Sequence, residues 1–127
     1  MPYVNAPPHI GHALEFVQTD VIARYYKIKG YDVFLTTGSD ENSLKNVQAA
    51  EKLGVNTQNL CDINAHYFKE FAEKIGLSFN AFLRTSSKEE HWPGIEKLWK
   101  LCEESGDIYK KKYRGLYCIG CEAFYTE

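Results

Sequence analysis

Pro7-Pro8-His9-Ile10-Gly11-His12-Ala13 stands where a proline-rich loop, Met1 to Pro8, gives way to a helix. Reading outward, a helix is expected from about Gly11 to Lys29. Leu14, Val17, Val21, Ile22 and Tyr25 recur there at helical spacing. Gly30 stops it, and Lys27 and Lys29 suit its negative end. Tyr31 to Thr37 is apolar and β-branched, the pattern of a short strand. Gly38-Ser39-Asp40-Glu41 then turns the chain into a second helix, about Ser43 to Leu53, closed by Gly54. A third, about Gln58 to Ile75, shows one face through Leu60, Ile63, Tyr67, Phe68, Phe71, Ala72 and Ile75, and ends at Gly76. Loop, helix, strand, helix, helix is the order of an α/β fold built on a parallel sheet.

Leu77 to Arg84 reads as extended. The next helix has two candidate starts. Ser87-Lys88-Glu89-Glu90 fits a capping box, whereas Pro93 fits the first helical position one turn later. It reaches about Glu104 and stops at Gly106. Ile108 to Tyr113 and Gly115 to Cys118 read as short strands. The pattern changes near Lys112, so residues 1–112 and 113–127 are taken as two parts, the second opening a small β-rich inserted module.

The chemistry concentrates at the first motif. A helix N-terminus offers free N–H groups and a partial positive charge, which attract phosphate. Gly11 allows close approach to the backbone. His9 and His12 fall on one side of the first turn, where two imidazoles can donate to phosphate oxygens as charge develops. A plain helix cap with two incidental histidines is the competing account. Asp40 follows an apolar strand, at the carboxyl end where open α/β sheets bind ligands. It can pair with a substrate cation or merely cap the next helix. Glu41 complements the helix dipole on the same reading.

Pro2-Tyr3-Val4-Asn5-Ala6-Pro7-Pro8-His9-Ile10-Gly11-His12 is similar to the HIGH signature of class I aminoacyl-tRNA synthetases, in its methionyl form. The resemblance continues through Glu15, Gln18, Asp20, Val21, Arg24 and Tyr25, then Gly30-Tyr31-Asp32-Val33 and Thr37-Gly38-Ser39-Asp40-Glu41. It closes on Tyr109, Tyr113-Arg114-Gly115 and the block from Tyr117 to Glu127, so it covers nearly the whole chain. It implies the first half of a Rossmann-type sheet with flanking helices, and the start of a zinc-knuckle-like connective insertion. It further implies that His9, Gly11 and His12 bind ATP, the two histidines acting in adenylate formation, and that Tyr3 and Asp40 bind methionine. The partners implied are methionine and tRNA(Met), with ATP arriving as its Mg2+ complex. Asn42-Ser43 departs from the family's His-Gly and puts any contact of that histidine in question. The second class I signature, KMSKS, is not in the sequence. The expectation is therefore a piece of a longer enzyme, inactive or nearly so by itself.

Cys118-Ile119-Gly120-Cys121 is half of a zinc knuckle. Structural zinc takes four ligands, so Zn2+ at Cys118 and Cys121 needs two more. Cys61 and Cys102 fall in helices and read as small buried apolar residues, and Trp99 reads as core. Lys110-Lys111-Lys112 with Arg114 reads as a solvated segment, the alternative being a contact for the tRNA acceptor end.

Composition narrows the remaining classes. A net charge of -2 gives no general attraction to nucleic acid. No run approaches the roughly 20 apolar residues of a membrane helix, and Met1 to Asn5 is no secretory leader. Four cysteines without a disulfide pattern suit a reducing compartment, and a cytoplasmic protein is expected. The competing functions are another class I synthetase, a small nucleotidyltransferase with a related H-x-G-H, and a non-catalytic nucleotide-binding module of the same fold.

Overall fold

A computed structural model describes residues 1–125. The chain forms two compact units, Met1–Ile95 and Glu96–Glu127. In the first, α1 (Ile10–Ile28) precedes β1 (Thr36–Ser39), α2 (Leu44–Leu53), α3 (Thr57–Lys74) and β2 (Ala81–Arg84). β1 and β2 pair in parallel, Thr36 opposite Ala81 and Ser39 opposite Arg84. The α2–α3 segment is therefore a crossover, as a parallel pair requires. Tyr3 adds a further parallel bridge to Asp40. The result is the α/β, Rossmann-type arrangement with flanking helices that the element order predicts.

The ends of α2 and the start of α3 have identifiable causes. Ser43 caps α2, its hydroxyl accepting from the Lys45 N–H at 3.1 Å. Asn56 caps α3 by accepting from Gln58 and Asn59. Gly54 closes α2 at φ 67, in the left-handed region that suits glycine. Gly38 answers a different need. A Cβ there would lie 1.8 Å from the Leu83 carbonyl oxygen, so only glycine lets β1 and β2 come this close.

The core is Val4, Phe16, Cys61, Phe68 and Ala72, with Phe71, Ile75, Leu77, Phe79 and Phe82 packed against it. Asp20 anchors α1 to the segment after α3: its Oδ1 accepts from the Ser78 N–H at 2.8 Å and the Ser78 hydroxyl at 2.5 Å. Arg24 bonds Asp20 through Nε at 2.5 Å and the Gly76 carbonyl through Nη2 at 2.7 Å.

The helices form where the spacing places them, but the spacing does not say which residues are buried. On α1 the periodic apolar residues Leu14, Val17, Val21, Ile22 and Tyr25 are all exposed, and Phe16, Asp20 and Ala23 are buried. The face that meets the core carries Phe16 and Ala23 together with Asp20, which bonds Ser78. On α3, Ile63 and Tyr67 are exposed while Cys61, Asn64 and Ala65 are buried. The strand expected at Tyr31 to Thr37 forms later, at Thr36–Ser39.

Helix α4 (Trp92–Glu104) starts one residue before Pro93, so the later of its two candidate starts is the one used. It buries no residue, and Trp99, expected in the core, is 58% exposed. In the second unit, β3 (Leu116–Cys118) and β4 (Ala123–Tyr125) make an antiparallel hairpin. The Phe124 ring meets Tyr113 and Tyr117, at centroid distances of 5.1 and 4.9 Å. Residues 108–113, expected as a strand, are irregular. Thr126 and Glu127, the end of the quoted resemblance, lie outside the described residues. Among the described residues no helix is long and apolar enough to cross a membrane.

Candidate active site

The start of α1 is held by its own histidines. His9 is the N-cap, and its Nδ1 accepts from the Gly11 N–H at 3.1 Å. His12 reaches back, its Nδ1 accepting from the His9 N–H at 3.2 Å. The two rings stack, with centroids 3.9 Å apart and planes at 25°. A Cβ on Gly11 would lie 2.9 Å from the His9 ring, so this glycine gives the His9 imidazole its place. His12 also rests edge-on against Phe68, at 4.9 Å.

These bonds fix the chemistry of the pair. An Nδ1 that accepts carries no proton, so in the neutral ring the proton sits on Nε2. Each imidazole therefore offers an Nε2–H donor. Burial pushes the His12 pKa below its usual value, and the neighbouring His9 adds to that, against an opposing effect of Glu15.

Asp40 lies at the end of β1, half-buried. Its N–H donates to the Pro2 carbonyl at 2.8 Å, and its own carbonyl accepts from the Asn46 side chain at 3.2 Å. One carboxylate oxygen accepts from the Asn42 N–H at 3.2 Å. The N-cap of α2 is Ser43, so Asp40 does not perform the capping role that was its alternative. Of the Asn42-Ser43 departure, Ser43 has a local use because its side chain starts the helix, whereas residue 42 meets Asp40 through its backbone N–H, which any residue but proline would supply.

A cleft of about 390 Å³ opens beside the motif, lined by Tyr3, His9, His12, Glu15 and Lys45 among others. Asp40 adjoins it through its pairing with Tyr3. Two of its features were not read from the sequence. Lys45 lines the cleft with its Nζ 5.4 Å from the Tyr3 ring centroid; no local pattern marks it, because the pairing of Tyr3 with Asp40 is what joins the two segments. Asn64, buried on α3, donates to the Val4 carbonyl at 2.6 Å and so steadies the segment that carries Tyr3.

Glu41 does not serve the helix dipole. It is buried, and Arg84 bonds both its oxygens, Nε to Oε1 at 2.6 Å and Nη2 to Oε2 at 2.9 Å. Ser39 donates to it at 2.7 Å and Ser86 also bonds it. Arg84 continues to Asp62. Burial pushes the Glu41 carboxyl up, but the bonds from Arg84, Ser86 and Ser39 outweigh it and hold its pKa below the usual range. A larger hollow of about 860 Å³, lined in part by Asp62, His66, Lys69, Arg84 and Ser86, shares no residue with the histidine cleft.

In the second unit, Cys118 Sγ accepts from the Cys121 N–H at 3.4 Å, so the C-x-x-C closes into a turn. That bond lowers the Cys118 pKa. Two thiols are half of what structural zinc takes, and among the described residues no group of three or more His, Cys, Asp or Glu side chains could hold a metal ion. Cys61 is buried, as expected, and Cys102 half-buried.

A parallel crossover pair whose leading helix is capped by paired imidazoles is an α/β arrangement of the Rossmann type. The chain belongs to the family described as tRNA synthetases class I (M), whose profile matches residues 1–127. Over 125 residues, 98% of this chain, it is 41% identical to a methionine–tRNA ligase of Thermotoga maritima and 42% identical to one of Mycobacterium bovis. It spans 20% and 24% of their lengths. The Mycobacterium tuberculosis methionyl-tRNA synthetase in complex with methionyl-adenylate superposes with a TM-score of 0.93 at 40% identity, over all of this chain and 25% of that one.

Proposed function

We propose that this chain is the ATP- and methionine-binding part of a methionine–tRNA ligase, acting within a longer protein. The observation that carries the reading is the meeting, at one cleft, of the stacked His9–His12 pair with the Tyr3 segment that pairs with Asp40. Likeness to a synthetase that holds methionyl-adenylate supports it.

The reaction has two steps. A methionine carboxylate oxygen attacks the α-phosphorus of ATP, the bond to the β-phosphate oxygen breaks, and pyrophosphate leaves with the electron pair. A hydroxyl of the terminal ribose of tRNA(Met) then attacks the carbonyl carbon, and AMP departs. In this reading His9 and His12 donate Nε2–H bonds to phosphate oxygens, and Gly11 contributes at the ATP site by making room for the His9 ring. Asp40 receives the methionine ammonium in a charge-assisted bond, and Tyr3 walls the amino-acid pocket. No covalent enzyme intermediate forms; positioning and charge stabilisation do the work. ATP enters as its Mg2+ complex. Residues 113–127 open the connective insertion, where Cys118 and Cys121 would hold Zn2+ only with two ligands from elsewhere. The reading implies a cytoplasmic site of action.

Amino-acid-dependent ATP–pyrophosphate exchange by the full-length protein tests it. Exchange with methionine alone, lost in Asp40→Ala and His12→Ala, is the expected result. Exchange with leucine, isoleucine, valine or cysteine instead would assign another class I synthetase. ATP binding with no exchange would leave a non-catalytic nucleotide-binding module.

A further inference from the structure

The two histidines leave a charge problem in the cleft. Their Nδ1 atoms are taken up accepting backbone N–H bonds, so each ring has Nε2–H left as its donor. A single N–H donor from each ring is modest company for a polyphosphate. Glu15, which lines the same cleft, works against an anion. Among the residues described as lining it, Lys45 is the permanent cation.

Its placement is built. The Ser43 cap accepts the Lys45 N–H and fixes where α2 begins. The side chain is half-buried and lies over the Tyr3 ring. Tyr3 in turn belongs to the segment paired with Asp40. Lys45 thus approaches from α2 the same space that His9 and His12 approach from α1.

We propose that Lys45 is a third phosphate-binding residue of this cleft, its ammonium contacting the β- and γ-phosphate oxygens of ATP and then the departing pyrophosphate. This rests on the reading of the cleft as an ATP site. As the methionine oxygen bonds to the α-phosphorus and the bond toward the β-phosphate breaks, negative charge gathers on the leaving group. Lys45 neutralises that charge by hydrogen bonding and stays protonated throughout. A lysine is suited to this as a compact charge on a flexible stem.

Lys45→Met and Lys45→Arg in the full-length protein test it by two readouts. One is the affinity for inorganic tripolyphosphate, by calorimetry. The other is ATP–pyrophosphate exchange, with kcat/KM for ATP and KM for methionine determined separately. Lys45→Met is expected to weaken tripolyphosphate binding about tenfold or more and lower kcat/KM for ATP about a hundredfold, the scale of losing one charge-stabilising donor. The KM for methionine should stay nearly unchanged, and Lys45→Arg should keep most of both functions. Unchanged tripolyphosphate affinity in Lys45→Met overturns the inference. So does a rise in the methionine KM alone, which would make Lys45 a support for Tyr3. A wild-type protein that exchanges with no amino acid, yet loses tripolyphosphate in Lys45→Met, would overturn the proposed function and leave the phosphate role of Lys45 standing.

Discussion

The Asn64 side chain donates to the Val4 carbonyl at 2.6 Å, joining residues 60 apart in sequence. Val4 is fully buried and Asn64 nearly so, and this bond sets the height of the Tyr3 segment over α3. Asn64→Leu leaves a buried carbonyl unsatisfied, which costs about 1–3 kcal/mol. The full-length protein should melt earlier, and its KM for methionine should rise more than its KM for ATP. Equal effects on both substrates would mean that the bond stabilises the fold without setting the pocket.

Ser43→Ala removes the α2 cap. A lost serine cap costs about 1 kcal/mol, and glycine at the same place only a few tenths. Thermal unfolding should therefore rank wild type, Ser43→Gly and Ser43→Ala in descending order. Activity should follow the same order, because the cap also fixes the backbone of Lys45.

Glu41→Gln breaks a forked ion pair whose carboxylate side chain is 1% exposed and whose guanidinium is 33% exposed. Cutting a fully buried pair costs about 3–5 kcal/mol; partial exposure of Arg84 lowers that. The folded pKa of Glu41 is depressed from 4.5, so its contribution is complete above that value and is lost as pH falls through the folded pKa. Acid unfolding should begin at higher pH in Arg84→Met, where the carboxylate loses its main partner. An unshifted acid transition would show that the network does not hold the fold.

His12 acts in the same direction as Glu41, at less acidic pH. Its pKa in the fold lies below the usual 6.5, so between those values the unfolded chain binds more protons and stability rises with pH. Protonation also places a hydrogen on Nδ1 and ends its acceptance of the His9 N–H. Stability and exchange should both decline as pH drops below about 6.5. His12→Ala should flatten that part of the stability curve and lower kcat about a hundredfold.

Most of the framework is legible in the sequence because its signals are local. Gly30, Gly54 and Gly76 stop the helices where expected, and the histidine motif begins α1. Ser43 directly before Leu44 is a cap signal that could have taken the capping role from Asp40 on sequence alone. Other features depend on partners remote in sequence. The paired strand is Thr36–Ser39 and not the more apolar residues before it, because close approach at Gly38 decides which segment meets Leu83. The buried stripe of α1 includes Asp20, a charged residue whose partner Ser78 is 58 positions away. Lys45 meets Tyr3 only because Tyr3 pairs with Asp40, far along the chain.

Each stacked imidazole holds its inner nitrogen on the backbone of the turn it caps. The outer N–H groups are therefore oriented before any anion arrives, and little reorganisation accompanies binding. The same arrangement makes the motif intolerant of isosteres: an asparagine could imitate the acceptor that starts the helix, but its amide is too short to carry a donor to the far edge of the ring it replaces.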